Sequence, residues 1–107
     1  MRRVNAEWTD KQGFLHQVDY HQHTSREDQD YHLGVGSIVV VDPVNAWKKN
    51  PHRGRVFTID RFRYWHSVAR AILVPAAEGP EASAEIGDLR LATEYEINLN
   101  AETSRKS

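Results

Sequence analysis

Short β-branched runs fenced by glycine and proline constrain this chain more than any other feature. The clearest is Gly36-Ser-Ile-Val-Val-Val41, entered through a glycine and closed by Asp42-Pro43. Branched side chains are stiff at χ1 and fit a pleated surface, and proline stops a ladder. Arg55-Val-Phe-Thr-Ile-Asp-Arg-Phe62 alternates, with Phe57 and Ile59 on one face and Val56 and Thr58 on the other. Ser67-Val-Ala-Arg-Ala-Ile-Leu-Val74 sets Val68, Arg70, Ile72 and Val74 against Ala69, Ala71 and Leu73. A fourth candidate strand covers residues 86–91. Short strands separated by turn signals predict a mainly β fold, a small sandwich or barrel. No apolar run is long enough to span a membrane. Cysteine is absent from the 107 residues, which excludes disulfides, zinc–thiolate sites, iron–sulfur clusters and cysteine nucleophiles.

The length suits one domain. A β core of about 70 residues is marginal alone. Residues 1–33 are therefore expected to form an N-terminal extension that packs Trp8, Phe14, Val18 and Tyr20 on it. Residues 34–99 form the barrel domain. Within the extension, Phe14-Leu-His-Gln-Val-Asp-Tyr20 reads as a strand, and residues 24–30 as a polar loop or a helix start. Residues 75–84 are rich in small side chains and read as a mobile loop. Thr93-Glu-Tyr-Glu96 has the form of a capping box, which predicts a short C-terminal helical turn. Residues 100–107 read as a disordered tail. The start, Met-Arg-Arg-Val-Asn-Ala-Glu-Trp8, has no apolar stretch after it, so a cytoplasmic location is expected.

Net charge is −1, so binding to an anionic polymer would need a local patch. Such a patch is visible. Residues 47–70 hold Lys48, Lys49, Arg53, Arg55, Arg61, Arg63 and Arg70 against Asp60, a local net charge of +6. Acidic segments flank this stretch on both sides. Much of it lies in a loop, residues 42–54, with two prolines, two lysines, two asparagines and Trp47. Phe57 belongs to the core by its alternation with Ile59, and one of Tyr64 and Trp65 must point inward. The sequence leaves the exposure of Trp47 open.

The string Gly36-Ser-Ile-Val-Val-Val, a loop, Asn50-Pro-His-Arg-Gly-Arg-Val-Phe-Thr-Ile59, and Gly87-Asp-Leu-Arg-Leu-Ala-Thr-Glu-Tyr-Glu-Ile97 resembles small SH3-like or KOW-type barrel proteins of the kind found in phage and mobile elements. The resemblance covers residues 34–97. It implies a non-catalytic binding module with RNA, DNA or protein partners.

Four histidines, His16, His21, His23 and His32, fall within 17 residues. His21-Gln-His23, three residues, Glu27, six residues and Gly34 resembles the first metal motif of cupins. It implies a metal ion held by His21, His23 and Glu27 in a metal-dependent enzyme. The motif's second half is absent, so a third histidine would have to come from His52 or His66. The alternative is ordinary surface histidines.

No nucleophile elbow, phosphate loop or dinucleotide fingerprint is present. A binding role therefore ranks above catalysis, with no catalytic residue and no cofactor expected beyond such a metal ion. The first reading is a nucleic-acid or ribonucleoprotein binder using Trp47, Lys48, Lys49, Arg53, Arg55, Arg61, Arg63 and Arg70. The second is a protein-interaction or inhibitor accessory protein of a phage or mobile element, docking by its acidic flanks. An exposed edge at residues 38–41 or 68–74 would allow a homodimer. No membrane partner is expected.

Overall fold

The computed structural model describes residues 1–23, 28–65, 68–76 and 79–106. The fold is mainly β: two sheets and one C-terminal helix. The strands are β1 (Arg2–Thr9), β2 (Leu15–Gln22), β3 (Asp30–Leu33), β4 (Ile38–Val41), β5 (Val56–Trp65), β6 (Val68–Pro75), β7 (Ala82–Glu85) and β8 (Leu89–Leu91). A 3₁₀ turn, Ile86–Asp88, precedes β8, and helix α1 runs Glu94–Lys106. No helix is long and apolar enough to cross a membrane among the described residues.

The larger sheet has the order β7-β6-β5-β4-β8. Residues 34–91 thus make an antiparallel meander whose last strand returns to β4. Phe57 and Ile59 face the core as their alternation requires, together with Val39, Val41, Ala69, Ala71 and Leu73. The register shifts between Ile59 and Arg61. This bulge resets the alternation, so Phe62 also points inward and Arg61 and Arg63 point out. On the outer face Val40 lies opposite Val56. Both are buried, and α1 packs on β5.

Residues 1–33 supply the second sheet, order β2-β1-β3, with β1 and β2 antiparallel and β1 and β3 parallel. Its inward row is Val4, Ala6 and Trp8 on β1 with Tyr31 and Leu33 on β3, half of one shared core. Trp8 ties the sheets together. Its ring stacks on Phe62 of β5, centroids 4.9 Å apart, and on His16 of β2, 5.3 Å apart. Tyr64 turns toward the same cluster, 5.6 Å from Trp8, although it is half exposed. Trp65's side chain lies outside the described residues.

Several expectations need correction. Trp8, Val18 and Tyr20 pack on the core, but Phe14 is 65% exposed. It sits where the β1–β2 turn closes, its N–H held by the Asp10 carboxylate at 3.0 Å, so its side chain leaves the sheet surface. Residues 82–85 form a strand rather than a loop, because Ala82 and Ala84 pack inward while Ser83 and Glu85 point out. Residues 86–88 form a 3₁₀ turn, which leaves only Leu89–Leu91 as the last strand. Neither β4 nor β6 is an edge. β8 covers the outer side of β4, and β7 covers that of β6. The capping box forms as read: Glu96 N–H donates to Thr93 Oγ1 at 3.2 Å and Thr93 N–H to Glu96 Oε1 at 2.9 Å.

Candidate functional site

The basic loop leaves β4 at Asp42, whose side chain organises its base. The buried carboxylate accepts from the N–H of Val44 at 2.9 Å and from the Asn45 amide at 3.0 Å. Ala46 N–H donates to the Asp42 carbonyl at 2.9 Å, and Ala46 is buried. Gly54 closes the far end at φ +81°, where its N–H donates to the Val41 carbonyl at 2.7 Å. A loop of 13 residues is thereby pinned at both ends.

Arg2 of β1 holds Asp42 from the other sheet. Its guanidinium pairs with the Asp42 carboxylate, donates to the Leu89 carbonyl and lies over the Tyr31 ring at 5.4 Å. Both side chains are buried. Burial pushes the Asp42 carboxyl up. The Asn45 amide, the Val44 N–H and the Arg2 guanidinium together outweigh it and hold the group below the usual carboxylate range. Arg90 stands 3.8 Å from the same carboxylate and forks onto Glu96 at 2.6 and 2.8 Å. That bidentate pair holds the Glu96 carboxyl low and joins α1 to the network.

At the loop's tip Trp47 is 65% exposed. Lys48 and Lys49 are exposed and carry no ion pair among the described residues. Arg53 donates to the Lys48 carbonyl at 3.4 Å and to the Pro43 carbonyl. Arg55 bonds His52 Nδ1 at 3.2 Å and lies over the Phe57 ring at 5.4 Å. Neither arginine meets a carboxylate among the described residues, so the three loop cations, and Arg55 just beyond Gly54, keep their charge beside one indole.

The rest of the basic stretch is treated differently. Arg61 pairs with Asp60 at 2.6 Å and with Glu81 at 3.4 Å. Arg70 faces Glu85 at 3.9 Å, and Arg63 lies directly opposite Arg70 across β5 and β6. The acidic segment after residue 78 thus pairs with arginines of the sheet part of the basic stretch, and makes no ion pair with a loop cation among the described residues. Other acids are also engaged: Asp19 takes the Arg3 guanidinium at 3.0 Å.

A groove runs from the loop to the open face of β6 and β7. Trp47, Pro51 and His52 form one wall, and Arg70, Ser83 and Glu85 form the other, around a cavity of about 770 Å³. Asp88 lies at its end. Burial and the nearby Glu85 push the Asp88 carboxyl up, although the Trp47 N–H bonds to it.

The described histidines do not converge, and His66 lies outside the described residues. His21 is on the outer face of β2, and Asp19 beside it already holds Arg3. His23 follows the end of β2, and Glu27 lies outside the described residues. His32 is across the sheet on β3, bonded through Nδ1 to the Asn5 side-chain Oδ1 at 2.6 Å. Arg3 is in register with both His21 and Asp30, so a cation occupies the centre of this face. His16 bonds Asp10 at 2.7 Å beside Trp8. Among the described residues no three His, Asp or Glu side chains are placed to hold a metal ion.

Asp42, Arg2 and Ser83 were not singled out by sequence. Asp42-Pro43 carried a turn signal that fits an Asx-type anchor. Arg2 carried none, since a buried arginine reads as a surface charge. Comparison with family models, curated proteins and solved structures finds no match to this chain.

Proposed function

We propose that this chain is a non-catalytic binding module for single-stranded nucleic acid, engaged through the loop 42–55. One observation carries the reading: Trp47 is exposed amid Lys48, Lys49, Arg53 and Arg55, and no carboxylate neutralises these cations among the described residues. Cations release counterions from phosphates. An exposed indole stacks on an unpaired base at about 1–3 kcal/mol. A duplex hides its base faces, so Trp47 favours a single strand. The SH3-like reading belongs to the same proposal, and a meander whose last strand returns to its first supports it. The protein-docking alternative draws less support, because Asp19, Glu81, Glu85 and Glu96 all face arginines.

The test is fluorescence anisotropy of labelled single-stranded RNA, single-stranded DNA and duplex DNA titrated with the protein. Single strands should bind more tightly than duplex. Trp47→Ala should weaken them about tenfold or more, as expected for one lost stacking contact. Equal affinity for duplex and single strand, unchanged by Trp47→Ala, would contradict the reading.

A further inference from the structure

The groove beside Trp47 carries acid where the loop carries base. Glu81, Glu85 and Asp88 line it, against Arg70 and His52. A backbone phosphate entering it would meet like charge, while the exposed Lys48 and Lys49 on the loop offer the opposite sign. A strand held by the loop therefore turns its phosphates to the lysines and a base into the groove. The cavity of about 770 Å³ has room for a nucleobase and its sugar. Trp47 lines one wall, and its backbone N–H bonds the Asp88 carboxylate, so an acceptor stands beside the exposed indole. Glu85 and Arg70 both act on Asp88, and they pair with each other at 3.9 Å. One ion pair thus presents a donor and an acceptor side by side, with a second acceptor near them. Burial and Glu85 push the half-buried Asp88 carboxyl up, because two carboxylates crowd one end of the groove. A ligand that donates to both relieves that crowding.

We propose that this groove reads guanine. Among the common bases guanine alone offers two adjacent donors on its pairing edge, N1–H and the N2 amino group, with the acceptor O6 beside them. Ionised carboxylates only accept, and a guanidinium only donates. Glu85 and Asp88 take the two donors, Arg70 takes O6, and Trp47 stacks on the ring. Adenine, cytosine and thymine each bring a single donor group to that edge and set an acceptor against a carboxylate. The inference rests on the preceding reading for the strand that delivers the base; the chemistry of the groove is its own.

The test is fluorescence anisotropy of labelled thymidylate strands that carry one central guanine, inosine, adenine or cytosine, beside the all-thymine strand. Inosine keeps N1–H and O6 and lacks the N2 amino group. The guanine strand should bind about tenfold more tightly than the all-thymine strand, with inosine between them. Glu85→Gln/Asp88→Asn, a pair of near-isosteric changes, should bring the guanine strand down to the all-thymine level and leave all-thymine binding no weaker. A merely structural role for these carboxylates would lower every strand alike and so overturn the proposal.

Equal binding of the guanine and inosine strands, preference for another base, or a guanine preference that survives in the double variant also overturns it. Each of these outcomes leaves strand binding by the loop standing. No binding of any strand overturns the strand reading instead, and free guanosine then decides the groove. A saturable shift of the Trp47 indole N–H NMR signal with guanosine, larger than with inosine and lost in the double variant, supports the guanine site. No shift, or the same shift with inosine, overturns it.

Discussion

Arg2 carries more of this architecture than any other single side chain. It is fully buried, it comes from the smaller sheet, and it pairs with the carboxylate that shapes the basic loop of the larger one. Removing one partner of a buried pair strands the other. Arg2→Ala should therefore cost about 3 kcal/mol or more, measured by urea unfolding. A change within experimental scatter would contradict this role.

The same network sets a pH dependence. Asp42 and Glu96 are both held below the ordinary carboxylate range, Asp42 by its hydrogen bonds against burial and Glu96 first by Arg90. The unfolded chain then binds protons more readily than the folded one. Stability from these groups is complete above the unfolded values of about 4 and is lost as pH falls through the folded ones. Unfolding midpoints between about pH 5 and pH 3 should fall less steeply in Glu96→Gln than in the wild type. Equal slopes would show that Glu96 is not held low.

At the scale of elements, what the sequence reveals depends on how much apolar bulk marks each period. β4, β5 and β6 were legible because Val39, Phe57, Ile59 and Leu73 are large and alternate cleanly. β7 was not, because Ala82 and Ala84 bury too little to mark a strand. β1 alternates at Val4, Ala6 and Trp8, but Arg2 in an inward position obscures the pattern. The parallel pairing of β1 with β3 joins residues far apart in sequence, and local pattern carries no trace of it. The helix start was legible because a capping box is a local motif. Thr93→Ala should destabilise α1 by about 1 kcal/mol. Because α1 packs on β5, the loss should appear in the global unfolding transition. Fraying confined to the helical signal would mean that α1 contributes little to the fold.

At the scale of the whole molecule, the deciding fact is where the acids land. The composition is nearly neutral, and a basic stretch between acidic ones could have been cancelled throughout. Cross-strand register cancels only part of it. Glu81 and Glu85 reach Arg61 and Arg70 because β7 runs antiparallel beside β6. The loop faces β7 across the groove, yet Lys48, Lys49, Arg53 and Arg55 meet no carboxylate among the described residues. The candidate residues were legible as types; their division into neutralised and unneutralised groups was not, since it depends on register. The exposure of Trp47 was likewise decided by the anchoring of Asp42 and Ala46, which buries the loop's base and leaves its tip in solvent.

The most direct measurement of the central claim is the salt dependence of single-strand binding. Four loop cations acting together predict a slope of about −3 for log affinity against log salt. Affinity should then fall about 50-fold between about 50 and 200 mM salt. Arg53→Ala/Arg55→Ala should roughly halve that slope. No binding at micromolar protein, or binding indifferent to salt, would contradict the account.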